Sequence, residues 1–154
     1  MEEYLPQEVL DVLELTDLQL QDGSFIDEEM REHQTDLLYR TSLKNGEPAY
    51  LYFLFEHKSY PETMIALQLL RYMVRFWERQ LKEGEALTAV IPIVIYHGKR
   101  VWNISTQFLA LIDAPEAIRP FLPNFRYHLS DFSHLSDETI RGKNMASGLS
   151  IHHA

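Results

Sequence analysis

Two opposite charges, Glu56 and Lys58, lie two residues apart at the end of an apolar run, Tyr50–Phe55. Side chains alternate between the two faces of a sheet, so residues two apart on a strand point the same way. A run as apolar as YLYFLF is typical of a strand covered on both faces, where charges need a reason to be present. Catalysis with a metal ion is one such reason. By the same alternation His57 should face away from Glu56 and be packed or capped.

Asp36 adds a third charged residue, because the sequence predicts a β-hairpin around the turn KNGEP at 44–48. The length of the loop decides which face Asp36 shares. With a two-residue loop at 45–46, Asp36 lies opposite Phe55 and faces away from Glu56. With a five-residue loop it lies directly across from Glu56, the side chains about 5 Å apart. The proline that ends the turn cannot donate a hydrogen bond to the ladder, which favours the longer loop.

Two carboxylates that close repel each other unless a cation lies between them, so Asp36 and Glu56 are candidate metal ligands. The chain has no cysteine, which excludes thiolate sites, and carboxylate ligands favour Mg²⁺ or Mn²⁺. Lys58, on the same face, could orient water or offset charge on a phosphate in the transition state. The alternative interpretation is an ordinary surface ion pair at hydrophilic strand ends.

The composition is that of one globular domain: 154 residues, of which 45% are hydrophobic. We expect a cytoplasmic protein without a membrane span, because no apolar stretch reaches about 18 residues and the start MEEYLPQEV is unlike an export signal. A net charge of −9 argues against a surface that coats nucleic acid, although it is compatible with a local basic patch. Whether the chain forms a homo-oligomer stays open.

The apolar pattern predicts an α/β fold with a mixed sheet. A short helix at 6–15 and a strand at 17–25 precede the hairpin strands at 36–43 and 49–57. A long amphipathic helix from 62 to about 82 follows, and then a buried strand at 87–96. A helix between two strands predicts a right-handed crossover that makes those strands parallel. A short helix at 105–112 and a strand at 125–131 complete the predicted elements.

The order of these features is more specific than any one of them: an aspartate, about twenty residues, Glu-x-Lys, a long helix and a buried strand. It resembles the PD-(D/E)XK nuclease superfamily, whose core is an α-β-β-β-α-β unit with these residues on its second and third strands. Four segments resemble, more closely, the Rpn family of recombination-promoting nucleases, also described as transposases: SFIDEEMREHQTDLLYR, AYLYFLFEHKS, ALQLLRYMVRFWERQL and IPIVIYHGKRVW. The resemblance spans roughly residues 5–142.

The resemblance implies a restriction-endonuclease-like core, a mixed central sheet flanked by helices. It also implies a metal-dependent DNA endonuclease associated with recombination or transposition. The implied catalytic residues are Asp36, Glu56 and the position of Lys58, with Gln68 on the long helix a further candidate. Many relatives have glutamine where this chain has Lys58, and the lysine is closer to the general superfamily pattern.

The chain also departs from the family at both ends. One nuclease-like domain is expected over 1–142 and a disordered tail over 143–154. Relatives usually carry a further N-terminal segment with the first helix of the core, which this chain is expected to lack, and KNMASGLSIHHA does not continue in the family's manner. The alternative function is therefore an inactive, shortened remnant that acts as a DNA- or protein-interaction module.

Basic residues outside the motif are weaker candidates for contacts with DNA. Arg71, Arg75 and Arg79 recur every four residues and could bind phosphates, but a solvated face of an amphipathic helix is the favoured interpretation. Lys99 and Arg100 follow the buried strand, where an exposed loop is favoured over phosphate contact.

Overall fold

The structure, a computed structural model, describes residues 4–22 and 31–134. Its helices and strands are α1 Gln7–Leu10, β1 Leu13–Gln21, β2 Gln34–Leu43, β3 Pro48–Glu56, α2 Ile65–Lys82, β4 Ala89–Tyr96 and β5 His128–Asp131. The strands form one sheet in the order β1-β2-β3-β4-β5. β1, β2 and β3 pair antiparallel, whereas β3, β4 and β5 pair parallel. The predicted mixed α/β sheet and the parallel crossover through α2 are confirmed.

The N-terminal elements differ from their prediction. The helix predicted at 6–15 ends at Leu10, and the strand predicted at 17–25 begins at Leu13. Leu13 is buried and pairs with Leu43, so burial beside β2 gives these residues a strand conformation. The helix predicted at 105–112 is a 3-10 turn over Phe108–Leu111. The tail at 143–154 lies outside the described residues.

Neither hairpin register predicted from the sequence is right. Glu56 pairs with Gln34, and Asp36 pairs with Leu54. The loop is shorter than expected, because the Leu43 N–H donates to the Glu47 carbonyl at 2.7 Å and Gly46 adopts a φ of 93°. The observed register differs by two positions from the one that the five-residue loop predicted, and a shift by two leaves each side chain on the same face of the sheet. Asp36 and Glu56 therefore share a face, as the five-residue loop predicted, but are diagonal neighbours.

Each face of the sheet carries its own core. Tyr52, Leu54 and Val94 pack against the buried side of α2, whereas Phe53 and Ile93 belong to the cluster on the opposite face. Alternation therefore places Asp36 and Glu56 on the face that α2 covers. Within the described part of the chain, no helix is both long and apolar enough to cross a membrane.

Candidate active site at the end of β3

Glu56, the last residue of β3, and Asp36 on β2 are both buried, with exposed fractions of 1% and 9%. Diagonal neighbours in an antiparallel pair have Cα atoms about 7–8 Å apart. That spacing is longer than direct pairing would give, yet it lets two carboxylates approach a common point from the same face. The structure thus places both residues on the buried face of the sheet that α2 covers.

Gln34 connects the two strands and the helix at this point. Its amide Nε2 donates to Glu56 Oε2 and also to Gln68 Oε1, the latter at 3.0 Å. Gln68 Nε2 donates back to Gln34 Oε1 at 2.7 Å. The predicted candidate Gln68 therefore reaches Glu56 through Gln34, a residue that sequence reasoning missed. Its position two residues before Asp36 was the available signal, since alternation places both on one face.

The two oxygens of Glu56 have different surroundings. Oε2 accepts the Gln34 hydrogen bond, whereas Oε1 is buried without a hydrogen-bond partner among the residues that the structure describes. Burial raises the pKa of Glu56, and the Gln34 hydrogen bond and the positive charge of Lys58 act in the opposite direction. One oxygen is thus fixed in place and the other is left for an electropositive partner.

Asp36 is held by an aromatic pair. Tyr52 donates its hydroxyl to Asp36 Oδ2 at 2.8 Å, and the Tyr52 ring stacks on Tyr72 with centroids 3.6 Å apart. Burial, followed by the charge of Asp36, raises the pKa of both tyrosines. Tyr52 consequently stays protonated and fixes the orientation of the Asp36 carboxylate.

Lys58 lies beyond the strand and directs its ammonium to a residue that the sequence did not single out. Lys58 Nζ is 2.7 Å from Glu62 Oε2. This hydrogen bond raises the pKa of Lys58, and the charge of Glu56 adds to the increase. Glu62 therefore favours the charged form of Lys58, and this charge also acts on Glu56.

An open cleft of about 640 Å³ adjoins this site, where β3 and β4 end. Its lining includes Lys58, Lys99 and the stacked rings of His57 and His97, whose centroids are 5.2 Å apart. His57 is exposed, so the expectation that it is packed holds only for the ring face that stacks on His97. The strand ends at Glu56, and alternation no longer determines the direction of the next side chain.

The other basic candidates do not converge on this cleft. Arg71 and Arg75 are exposed on the outer side of α2, and Arg79 lies over the Phe76 ring at 5.4 Å. Arg100 is exposed beside Lys99 but does not line the cleft. Of the five basic residues considered for DNA, the cleft therefore contains Lys99 alone, within the described part of the chain.

Side chains alone supply few metal ligands here. Among residues 4–22 and 31–134, no group of three or more His, Cys, Asp or Glu could hold a metal ion together. Asp36 and Glu56 offer hard oxygen donors, the type that Mg²⁺ and Mn²⁺ prefer. A site built on them would need ligands from water or substrate as well.

Comparison with known families identifies the family of this chain. The family model described as "Putative transposase, YhgA-like" matches residues 1–152. The chain belongs to this family. The predicted resemblance to Rpn proteins is also confirmed by the relatives that the YhgA-like chain matches.

Three of these relatives come from Escherichia coli. The chain is 32% identical over 142 residues to "Recombination-promoting nuclease RpnC" of strain K12, covering 91% of the chain and 47% of that protein. It is 32% identical to "Recombination-promoting nuclease RpnD" of O157:H7, covering 65% of the chain and 39% of that protein. It is 29% identical to "Inactive recombination-promoting nuclease-like protein RpnE" of strain K12, covering 77% and 40%. The chain thus spans less than half the length of these relatives, and no solved structure matches it significantly.

Proposed function

We propose that this YhgA-like chain carries the hydrolytic site of a metal-dependent DNA endonuclease associated with recombination. The proposal is supported by the positions of Asp36 and Glu56, which are buried diagonal neighbours on one face of the β2–β3 pair, and by the charge of Lys58, which acts on Glu56. The names of the relatives RpnC and RpnD support DNA as the substrate.

Asp36 and Glu56 would hold the cation, Mg²⁺ or Mn²⁺. The fit rests on Glu56 Oε1, a buried oxygen with no hydrogen-bond partner in the described part of the chain. Two carboxylates are enough, since Mg²⁺ usually keeps several waters and takes phosphate oxygens as further ligands. When bound, such a cation neutralises phosphate charge and lowers the pKa of a bound water.

The chain's own residues would position the carboxylates and stabilise the charge on the phosphate. Tyr52 and Gln34 fix the two carboxylates in place, so little reorganisation accompanies the reaction. Lys58 offers its ammonium to the phosphate oxygens, where negative charge increases as water attacks. A phosphorus–oxygen bond forms to water, one phosphodiester bond breaks, and the products are a phosphate monoester and a hydroxyl end.

A plasmid relaxation assay in Mg²⁺ tests the proposal. Asp36→Asn and Glu56→Gln preserve side-chain size and should each lower cleavage by about a hundredfold or more. The control is Asp113→Asn, which neutralises an exposed carboxylate outside the site and should cleave like the wild type. Cleavage that persists in EDTA, or equal cleavage by wild type and Glu56→Gln, would exclude the proposed mechanism.

The relative RpnE favours a second function, because a protein named inactive matches 77% of this chain. In that case the fold serves as a DNA- or protein-interaction module. Isothermal titration calorimetry with Mg²⁺ separates the two functions. A chain that neither binds Mg²⁺ nor relaxes plasmid is the module, whereas Mg²⁺ binding that depends on Glu56 supports the nuclease.

A further inference from the structure

More basic than acidic side chains line the cleft beside Glu56, although the whole protein is acidic. Two lysines, Lys58 and Lys99, and three histidines line it, against one carboxylate, Glu32. The complete chain has a net charge of −9. Lys58 is paired with Glu62, whereas Lys99 forms no salt bridge with a carboxylate in the described part of the chain. A local basic cleft on an acidic protein indicates an anionic ligand.

The same cleft offers an aromatic surface. Tyr60 lines it and is 56% exposed, so part of its ring is open to a ligand. The Lys58 ammonium lies 5.9 Å from the centre of the Tyr60 ring. This is a cation–π contact, and an exposed aromatic ring of this kind can also stack on the flat face of a nucleotide base.

The cleft is built from backbone and is therefore preformed. The His57 N–H donates to the His33 carbonyl at 2.8 Å, and the Arg100 N–H donates to the Ser59 carbonyl at 3.1 Å. Gly98 lets the loop after β4 approach the loop after β3, because a Cβ there would overlap the Lys58 carbonyl oxygen. These contacts fix Tyr60 and Lys99 on opposite loops that face one cavity.

Size and chemistry together select a single strand. A cavity of about 640 Å³ is in the range of small-ligand sites, so it can hold one or a few nucleotides and not a duplex. In a duplex the faces of the bases are covered by their neighbours, and an aromatic platform can stack only on a base that has left the helix. We propose that this cleft binds a nucleotide of single-stranded DNA, with its phosphate at Lys99 and its base on Tyr60. The assignment rests on the proposed nuclease function, whose site the cleft adjoins at His57 and Lys58.

Fluorescence anisotropy with a labelled oligonucleotide in EDTA tests this assignment without cleavage. The wild-type chain should bind a single strand at least tenfold more tightly than the duplex of the same sequence. Tyr60→Leu should weaken single-strand binding by about fivefold to a hundredfold, the range measured for one stacked base, whereas Tyr60→Phe should bind like the wild type. Lys99→Gln should reduce the slope of log affinity against log salt by about 0.7.

Arg75→Gln is the matched control, since it removes one exposed positive charge from the outer side of α2. The assignment is overturned if the duplex binds as well as the single strand, if Lys99→Gln and Tyr60→Leu bind like Arg75→Gln, or if an RNA of the same sequence binds more tightly than the DNA. The expected binding without any cleavage in Mg²⁺ would support the cleft assignment and contradict the proposed nuclease function. Cleavage of DNA that does not depend on Tyr60 or Lys99 would contradict the cleft assignment and leave the proposed nuclease function standing.

Discussion

The side-chain amide of Gln34 donates a hydrogen bond to Glu56 Oε2 from the position directly opposite it in the β2–β3 ladder. The same amide makes a reciprocal pair with Gln68 on α2. Both amide groups are thereby oriented, because a carboxylate accepts hydrogen bonds and the Gln34 nitrogen must face it. Gln34 is a positioning residue: it fixes one oxygen of Glu56 and leaves Oε1 for the proposed cation.

Removing this hydrogen bond should weaken metal binding. Gln34→Leu keeps most of the side-chain volume but leaves Glu56 Oε2 without its donor, so we expect a loss of about tenfold to a hundredfold in Mg²⁺ affinity. Calorimetry in the absence of DNA measures the affinity directly. Gln80→Leu is the control, because Gln80 is also a buried glutamine but lies on α2, outside the site. Its side-chain amide donates a hydrogen bond to the Thr88 hydroxyl at 2.8 Å. Equal Mg²⁺ affinities of the two variants would contradict the role of Gln34.

Lys58 should act as a cation and not as a proton-transfer group. The hydrogen bond from Lys58 to Glu62 raises the lysine pKa above its ordinary value of 10.5. The rate of plasmid cleavage should therefore not fall through lysine deprotonation at any pH up to about 9, so its pH profile should have no basic limb in that range. Lys58→Met should lower cleavage by about a hundredfold, and Lys58→Arg should recover part of it by restoring the charge. A basic limb below pH 9 that disappears in Lys58→Arg would show that the lysine transfers a proton.

Glu56 should make the stability of the chain depend on pH. Burial raises its folded pKa above the ordinary value of 4.5. Its contribution to stability is fully present below that ordinary value, and is lost as pH rises through the raised pKa, because the buried group must then ionise. Urea unfolding in EDTA at about pH 4, 6 and 8 should therefore show the wild type losing stability relative to Glu56→Gln.

Mg²⁺ should reverse that loss at pH 8 in the wild type, since a cation favours the ionised carboxylate and binds only the folded chain. Glu56→Gln should gain much less from Mg²⁺. A wild type that gains stability relative to Glu56→Gln as pH rises in EDTA would contradict the burial argument.

Gly98 should be required for the geometry of the cleft. A Cβ at this position would overlap the Lys58 carbonyl oxygen and the Tyr96 hydroxyl. Gly98→Ala should therefore cost about 1–3 kcal/mol in the free energy of unfolding and lower both oligonucleotide binding and cleavage. Gly46→Ala is the comparison, because its φ of 93° also makes alanine costly, yet nothing lies within 4 Å of a Cβ there and the turn is at the other end of the hairpin. It should lower stability and leave binding unchanged, and equal binding by both variants would contradict the role of Gly98.

Local patterns in the sequence determined much of the fold. The continuous apolar run of β3, the helical spacing of α2 and the β-branched run of β4 predicted these elements within a few residues of their observed bounds. The family resemblance named Gln68, and the longer of the two loops considered put Asp36 and Glu56 on one face by alternation. Such features follow from the periodicity of neighbouring residues, which needs no knowledge of distant contacts.

The register and the site partners were decided only by the tertiary structure. Gly46 in a left-handed conformation shortens the hairpin loop, and this sets Gln34, not Asp36, opposite Glu56. The turn of Lys58 towards Glu62 and the meeting of Tyr60 with Lys99 across the cleft depend on how two loops pack beyond the strand ends. No periodicity operates there, because side-chain directions in loops are fixed by contacts between residues that are far apart in the chain.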